Sequence, residues 1–254
     1  MLGLLCAPVA TARDKPKQKK RKSSATWLQH YLEDSRRLDI AVLLTAPLFV
    51  AYEAGLLFFT RGDVRNAADV RLKEWASALH PHLPLVLNTL VLLGFVAAAL
   101  RREKAPVVAW LTPALLLEAT AYALVLGPVS MAVIRLVPLA AGASVNGAVV
   151  NVLFAIGAGL YEEVLFRLLV VGGLVWLLEK RGGFPKWFSR GFPLVFAAVL
   201  FSMFHHVGPL GDPFEWRVAI FRGLAGVLLG LLFLFRGFTV TVWTHALYDL
   251  LLAL

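Results

Sequence analysis

Charge and cysteine are scarce in this chain of 254 residues. Asp, Glu, Lys and Arg make up 16% of it, against about 25% in a soluble domain that must keep its surface wetted. Apolar residues make up 59% and lie in long runs, so lipid rather than water is the solvent for most of the chain. The single cysteine, Cys6, excludes an internal disulfide framework and a cysteine-based zinc cluster. No internal repeat is evident, and there is no His-Glu-x-x-His element of the kind that binds zinc from one helix face. A cleavable signal peptide puts its basic segment first. Here the apolar start, Met1 to Ala12, precedes the basic run, so none is expected.

Helix-length apolar runs occur at Leu38–Phe59, Leu83–Leu100, Pro106–Leu126, Val145–Leu178, Gly191–Val207, Arg217–Phe235 and Phe238–Leu254. A spanning helix takes ~20 residues, with about 17 as the lower limit. The expected fold is therefore all-α, a polytopic bundle of about seven membrane helices, with six to eight as the range. The fourth run would extend about 50 Å at ~1.5 Å per residue. It has to bend, tilt or protrude, and Gly157, Gly159, Gly172 and Gly173 are places where it can do so. Three segments follow: a basic tail and juxtamembrane stretch over 1–37, N-terminal membrane helices over 38–144, and a C-terminal core over 145–254.

The net charge of +9 is unevenly spread. Arg13, Lys15, Lys17, Lys19, Lys20, Arg21 and Lys22 face one opposing acid, Asp14. Just before a membrane bundle such a run is a cytoplasmic anchor near anionic lipid, or an orientation signal without a specific ligand; nucleic acid is not an expected partner. Most Lys and Arg fall in the tail, the Arg101–Lys104 turn, the Lys180–Arg190 loop and Arg236. The alternate segments hold Arg61, Arg65, Arg71, Lys73, Arg135 and Arg217. The cytoplasmic side carries the excess, which favours N-terminus in and C-terminus out, in an integral protein of a bacterial inner membrane.

Ionisable groups inside hydrocarbon cost at least ~2.5–3.5 kcal/mol each on insertion scales, so a chain keeps them for pairing or for function. The densest set lies on three C-terminal runs. The first carries Glu162-Glu163-Val-Leu-Phe-Arg167. Glu163 precedes Arg167 by four, the preferred direction for a helical ion pair, which assigns this pair to structure. Glu162 points about a hundred degrees away and is left for proton transfer. The second run carries Phe201-Ser-Met-Phe-His205, followed by His206, which reads as a helix-end hydrogen-bonding group. The third carries His245-Ala-Leu-Tyr-Asp249, two polar groups on one helix face.

In this order and at these spacings the three patterns resemble the CPBP family. That family takes in CAAX-type prenyl-protein endopeptidases, bacteriocin-processing and Abi-type proteins, and a myxosortase-like branch. Its marks are Glu-Glu-x-x-x-Arg, Phe-x-x-x-His and His-x-x-x-Asn/Asp, matched here by Glu162-Glu163…Arg167, Phe201…His205 and His245…Asp249 over about Val145 to Leu254. The resemblance implies proteolysis inside the membrane, with Glu162 and His205 activating water and the last motif stabilising the oxyanion. His245 can donate to that charge. An ionised Asp249 only accepts, so it is either protonated through burial or orients His245 or another donor; the orienting role is favoured. A metal-free glutamate mechanism is favoured over the alternative, zinc bound by Glu162, His205, His245 and Asp249.

Other intramembrane polar groups carry less. Glu53, Glu118, Asn146 and Asn151 could line a cavity or simply bond across helices. Arg222 could snorkel to the interface, pair with Asp249, or bind a substrate carboxylate, in that order of preference. The expected function is an intramembrane endopeptidase cutting near the end of a membrane-tethered protein or peptide. The alternative is a non-proteolytic transporter or immunity-type binder. Counting inward from the basic loops at ~1.5 Å per residue sets the acids and histidines in the middle to outer half of a ~30 Å core. That depth favours an exported tail or leader as substrate over a cytoplasmic prenylated one.

Overall fold

The computed structural model of the chain describes residues 27–60, 65–100, 105–134, 147–208 and 211–253. The basic run, Cys6, the Arg101–Lys104 turn, Arg61, Arg135 and Asn146 lie outside the described residues. Every regular element among the described residues is helical: α1 (Trp27–Asp34), α2 (Leu38–Phe59), α3 (Ala67–Leu79), α4 (Leu83–Ala99), α5 (Ala105–Ile134), α6 (Ala148–Arg181), α7 (Lys186–Phe204), α8 (Trp216–Arg236) and α9 (Phe238–Ala253). The fold is the all-α polytopic bundle that the apolar runs predict.

Among the described residues five helices, α2, α5, α6, α7 and α8, are long and apolar enough to cross a membrane. The pair α3–α4, bent by 118°, makes a sixth if it counts as one span. The sequence runs suggest about seven, and the difference lies in α4 and α9. With 17 and 16 residues they extend only ~24–26 Å, short of a ~30 Å hydrocarbon core. Their surroundings are opposite. No residue of α4 is buried. In α9, Thr239, Val240, Thr241, Val242 and Thr244 have no exposed surface, and the helix packs against α2, α5, α6 and α8. A helix enclosed by protein is not obliged to match the bilayer, because other helices rather than lipid surround its backbone.

Two glycines set where α9 runs. Gly237 joins it to α8 at φ +88°, a left-handed conformation that costs glycine little, and the chain reverses there into the bundle. Gly159 on α6 faces Ala246 on α9, where an added Cβ would lie 2.6 Å from the Ala246 backbone nitrogen. Small residues permit such close helix crossings. The long α6 does not break at its glycines. Its hydrogen bonding instead widens to the i→i+5 π pattern over Ala158–Gly172 and again over Leu177–Arg181. Such winding concentrates at functional sites, and here the first stretch carries both glutamates.

A buried cluster that includes Tyr52, Leu56, Leu160, Phe166, Phe201 and Val242 ties α2, α6, α7 and α9 together. Outward faces stay apolar, as at Phe58, Leu117, Val195 and Ile220. A surface wetted by lipid requires that.

Candidate active site

The three motif segments, on α6, α7 and α9, meet in the bundle interior. Glu162 and Glu163 are adjacent in sequence and both buried, yet they face different helices. Glu163 turns toward α9, with Oε1 2.6 Å from His245 Nδ1 and Oε2 3.1 Å from Arg167 Nε one turn along α6. Glu162 turns toward α7 and α3. Its Oε2 lies 3.8 Å from His205 Nε2, and its Oε1 accepts a hydrogen bond from Asn66 Nδ2 at 3.1 Å.

His205 caps the C-terminal end of α7. Its Nδ1 is 2.8 Å from the Phe201 carbonyl oxygen. A carbonyl only accepts, so Nδ1 carries the proton and Nε2 presents a lone pair toward Glu162. At 3.8 Å the two are too far apart for a direct hydrogen bond. One water beside both can sit at ~2.8 Å from each.

His245 is held on both sides. Glu163 takes Nδ1, and Asp249 Oδ2 stands 3.5 Å from Nε2. The expected Glu163–Arg167 ion pair is present, and to it the fold adds a second job for Glu163, the closer grip on His245. Arg167 is 1% exposed and lies over the Phe201 ring, 4.6 Å from its centroid. The same ring meets His205 edge-on at 5.0 Å and His245 at 6.1 Å. Phe201 thus spaces the two histidines and covers the buried guanidinium.

Arg222 does not pair with Asp249; its Nη2 donates to Asp212 Oδ2, which follows α7. Its Nη1 has no hydrogen-bond partner among the described residues. His206 bonds the Asp212 carbonyl and meets the Phe214 ring, the helix-end role expected of it. Glu53 is not at the cavity but pairs with Arg65 and Lys73. Glu118 is remote too, bound by Arg236 and Tyr31. Arg236, a loop cation by sequence, is thereby buried in an ion pair. Asn151 does line the site, in a cavity shared with Asn66 and Glu162. Asn66 is the residue that sequence reasoning passes over, although Asn ahead of Ala-Ala-Asp is a legible helix N-cap.

Glu162 borders three cavities, of 300, 250 and 440 Å³. The 250 Å³ cavity also holds His205, His245, Asp249 and Arg222. A larger one of 530 Å³, between α2, α3, α4 and α6, contains no motif side chain and is walled by apolar residues such as Phe49, Leu72, Phe95 and Val164. Site chemistry, not volume, marks the candidate active site. Among the described residues no three His, Cys, Asp or Glu side chains are gathered as ligands of one metal ion.

Residues 143–251 match the family model described as type II CAAX prenyl endopeptidase Rce1-like. That stretch contains all three motifs, whereas Asn66 and the first helices lie outside it. No curated protein and no solved structure matches the chain. The family match and the resemblance of the motifs agree: over residues 143–251 the C-terminal core of this chain is similar to the CAAX-type intramembrane proteases of that family model.

Proposed function

We propose that this chain hydrolyses a peptide bond near the end of a membrane-tethered protein or peptide, with Glu162 and His205 activating the attacking water. The observation that carries this reading is the Glu162 carboxylate facing the His205 Nε2 lone pair at 3.8 Å across an open cavity, with His245 on the same wall. A water held between them passes a proton to Glu162 as its oxygen attacks the scissile carbonyl. The proton then goes to the leaving amine, so atoms and charge balance. With Nδ1–H engaged by Glu163, His245 donates from Nε2 to the oxyanion only as the doubly protonated ring. Glu163 and Asp249 flank that ring with negative charge, and the oxyanion displaces Asp249 as acceptor. Arg222, with Nη1 free of described partners beside the same cavity, suits an anionic group of the substrate.

The proposed mechanism uses only this chain's own carboxylates and imidazoles. Exhaustive chelation of purified protein is expected to leave cleavage intact, with well under one zinc per chain by elemental analysis. Stoichiometric zinc whose removal and return switches activity off and on would reverse that preference.

His205 caps the end of α7 remote from the basic turn after Arg181, and Glu162 lies near the middle of the longer α6, each on the order of 25 Å from that turn along its helix. With the N-terminus inside, that end opens outward, which supports an exported tail or leader as substrate. Comparing membrane proteomes of a deletion strain with and without the restored gene tests the function. An uncleaved precursor, its processed end outside, is expected to accumulate in the deletion strain. A processed end in the cytoplasm would return the prenylated-tail reading to first place, and no accumulating precursor would favour a transporter or binder.

A further inference from the structure

We infer that Asn66, from outside the family-matched core, is a positioning residue that aims Glu162 at the water it activates. This rests on reading Glu162 as the base. Asn66 stands at the N-cap of α3 and is 9% exposed. Its amide is used at both ends. Oδ1 accepts from Ala68 N–H at 2.8 Å, and Nδ2 donates to Glu162 Oε1 at 3.1 Å. Since a backbone N–H can only donate, the flip state of this amide is set, and the donor has to face the carboxylate. One oxygen of Glu162 is thereby fixed, and the other is left facing His205.

The backbone of Asn66 is held as firmly as its side chain. Its N–H donates to Tyr52 Oη at 2.9 Å, and Tyr52 O–H donates to Asp69 Oδ2 at 3.1 Å. Asp69, with no exposed surface, is paired with Arg65 at 2.7 Å and Lys73 at 2.6 Å. Both cations also pair with Glu53, at 3.2 Å each. Glu53 in turn accepts from Tyr161 O–H at 2.7 Å, and Tyr161 precedes Glu162 on α6. The circuit therefore leaves α6 at Glu162, passes through α3 and α2, and returns at the adjacent residue. Burial works against the charge of Arg65, but its hydrogen bonds to Glu53 and Asp69 outweigh that and hold its pKa above the ordinary arginine value. An ion-pair cluster of this size is more than one helix cap requires, and among the described residues its hydrogen bond to the chemistry is the one from Asn66 to Glu162.

Two variants separate capping from aiming. Serine and aspartate cap helices about as well as asparagine, so Asn66→Ser and Asn66→Asp keep α3. Serine is too short to reach Glu162, and aspartate sets a second carboxylate against it. The Glu162 carboxylate band, isolated as the infrared difference between wild type and Glu162→Gln, is expected to shift in Asn66→Ser. This readout needs no substrate. With a quenched-fluorescence peptide spanning the processed site of the precursor that the deletion strain accumulates as probe, kcat is expected to fall ~10–100-fold, the scale of a misplaced catalytic group. KM should change less than about twofold. Asn66→Asp should fall further. An unshifted band overturns the inference. So does a fall in activity that only tracks lost folded protein, or a rise in KM at unchanged kcat. A fully active Glu162→Gln removes the proposed base and this inference with it. An inactive Glu162→Gln beside wild-type kcat in Asn66→Ser removes the positioning role alone.

Discussion

Glu162→Gln is expected to abolish cleavage while the purified protein keeps its thermal stability. Glutamine has the same shape, and its carbonyl can still accept from Asn66 Nδ2, the bond that holds Glu162 Oε1. What it cannot do is take a proton from water. General acid–base groups contribute ~10²–10⁴-fold, and in the proposed mechanism this one is also the proton donor to the leaving amine. A loss of about 10³-fold or more, some 4 kcal/mol of transition-state stabilisation, is therefore the expected scale. Glu162 lies against three cavities rather than in the packed apolar cluster, which is why its replacement should leave folding unaffected. Cleavage rate and a detergent melt of the same preparation check both halves. Wild-type turnover in this variant would remove Glu162 from the mechanism.

Glu163→Ala should damage stability and activity together. Glu163 has no exposed surface and holds two partners, Arg167 on its own helix and His245 across the interface with α9. Removing one partner of a buried ion pair costs ~3–5 kcal/mol because it strands the other charge. Arg167, 1% exposed, would keep only the face of Phe201 as compensation. His245 would lose the acceptor that sets its ring, and an oxyanion donor out of line costs roughly 10²–10³-fold in turnover. The double variant Glu163→Ala/Arg167→Leu separates the two effects. It deletes the stranded charge and should recover much of the melting temperature. It should not recover activity, since His245 is still loose. Activity that returns with stability would confine Glu163 to a structural role.

The ion pair in that argument was legible beforehand because Glu163 and Arg167 are four apart on one helix, where the backbone alone brings them together. The grip of Glu163 on His245 was not, because those residues are 82 apart and meet only where α6 and α9 cross at Gly159. The same holds for Asn66. Its cap signature is local, but the bond to Glu162 spans 96 residues. Nor does the sequence show that Arg236 leaves its loop to pair with Glu118, 118 residues away.

Local composition and spacing determined what depends on neighbours along the chain. Scarce charge and long apolar runs require helices in lipid, since backbone polar groups there have to be satisfied within the segment. The order of Glu-Glu-x-x-x-Arg, Phe-x-x-x-His and His-x-x-x-Asp marked the candidate site and the family that this core resembles. Tertiary structure decided what depends on which surface covers which. Hydropathy is the same whether lipid or protein lies against a residue, so Phe238–Leu254 reads as a span although α9 is an enclosed helix of 16 residues. Side-chain partners across helices follow from crossing geometry, which small residues such as Gly159 permit but do not announce. The division of labour among Glu162, Glu163, His245 and Asn66 therefore exists only in the folded bundle.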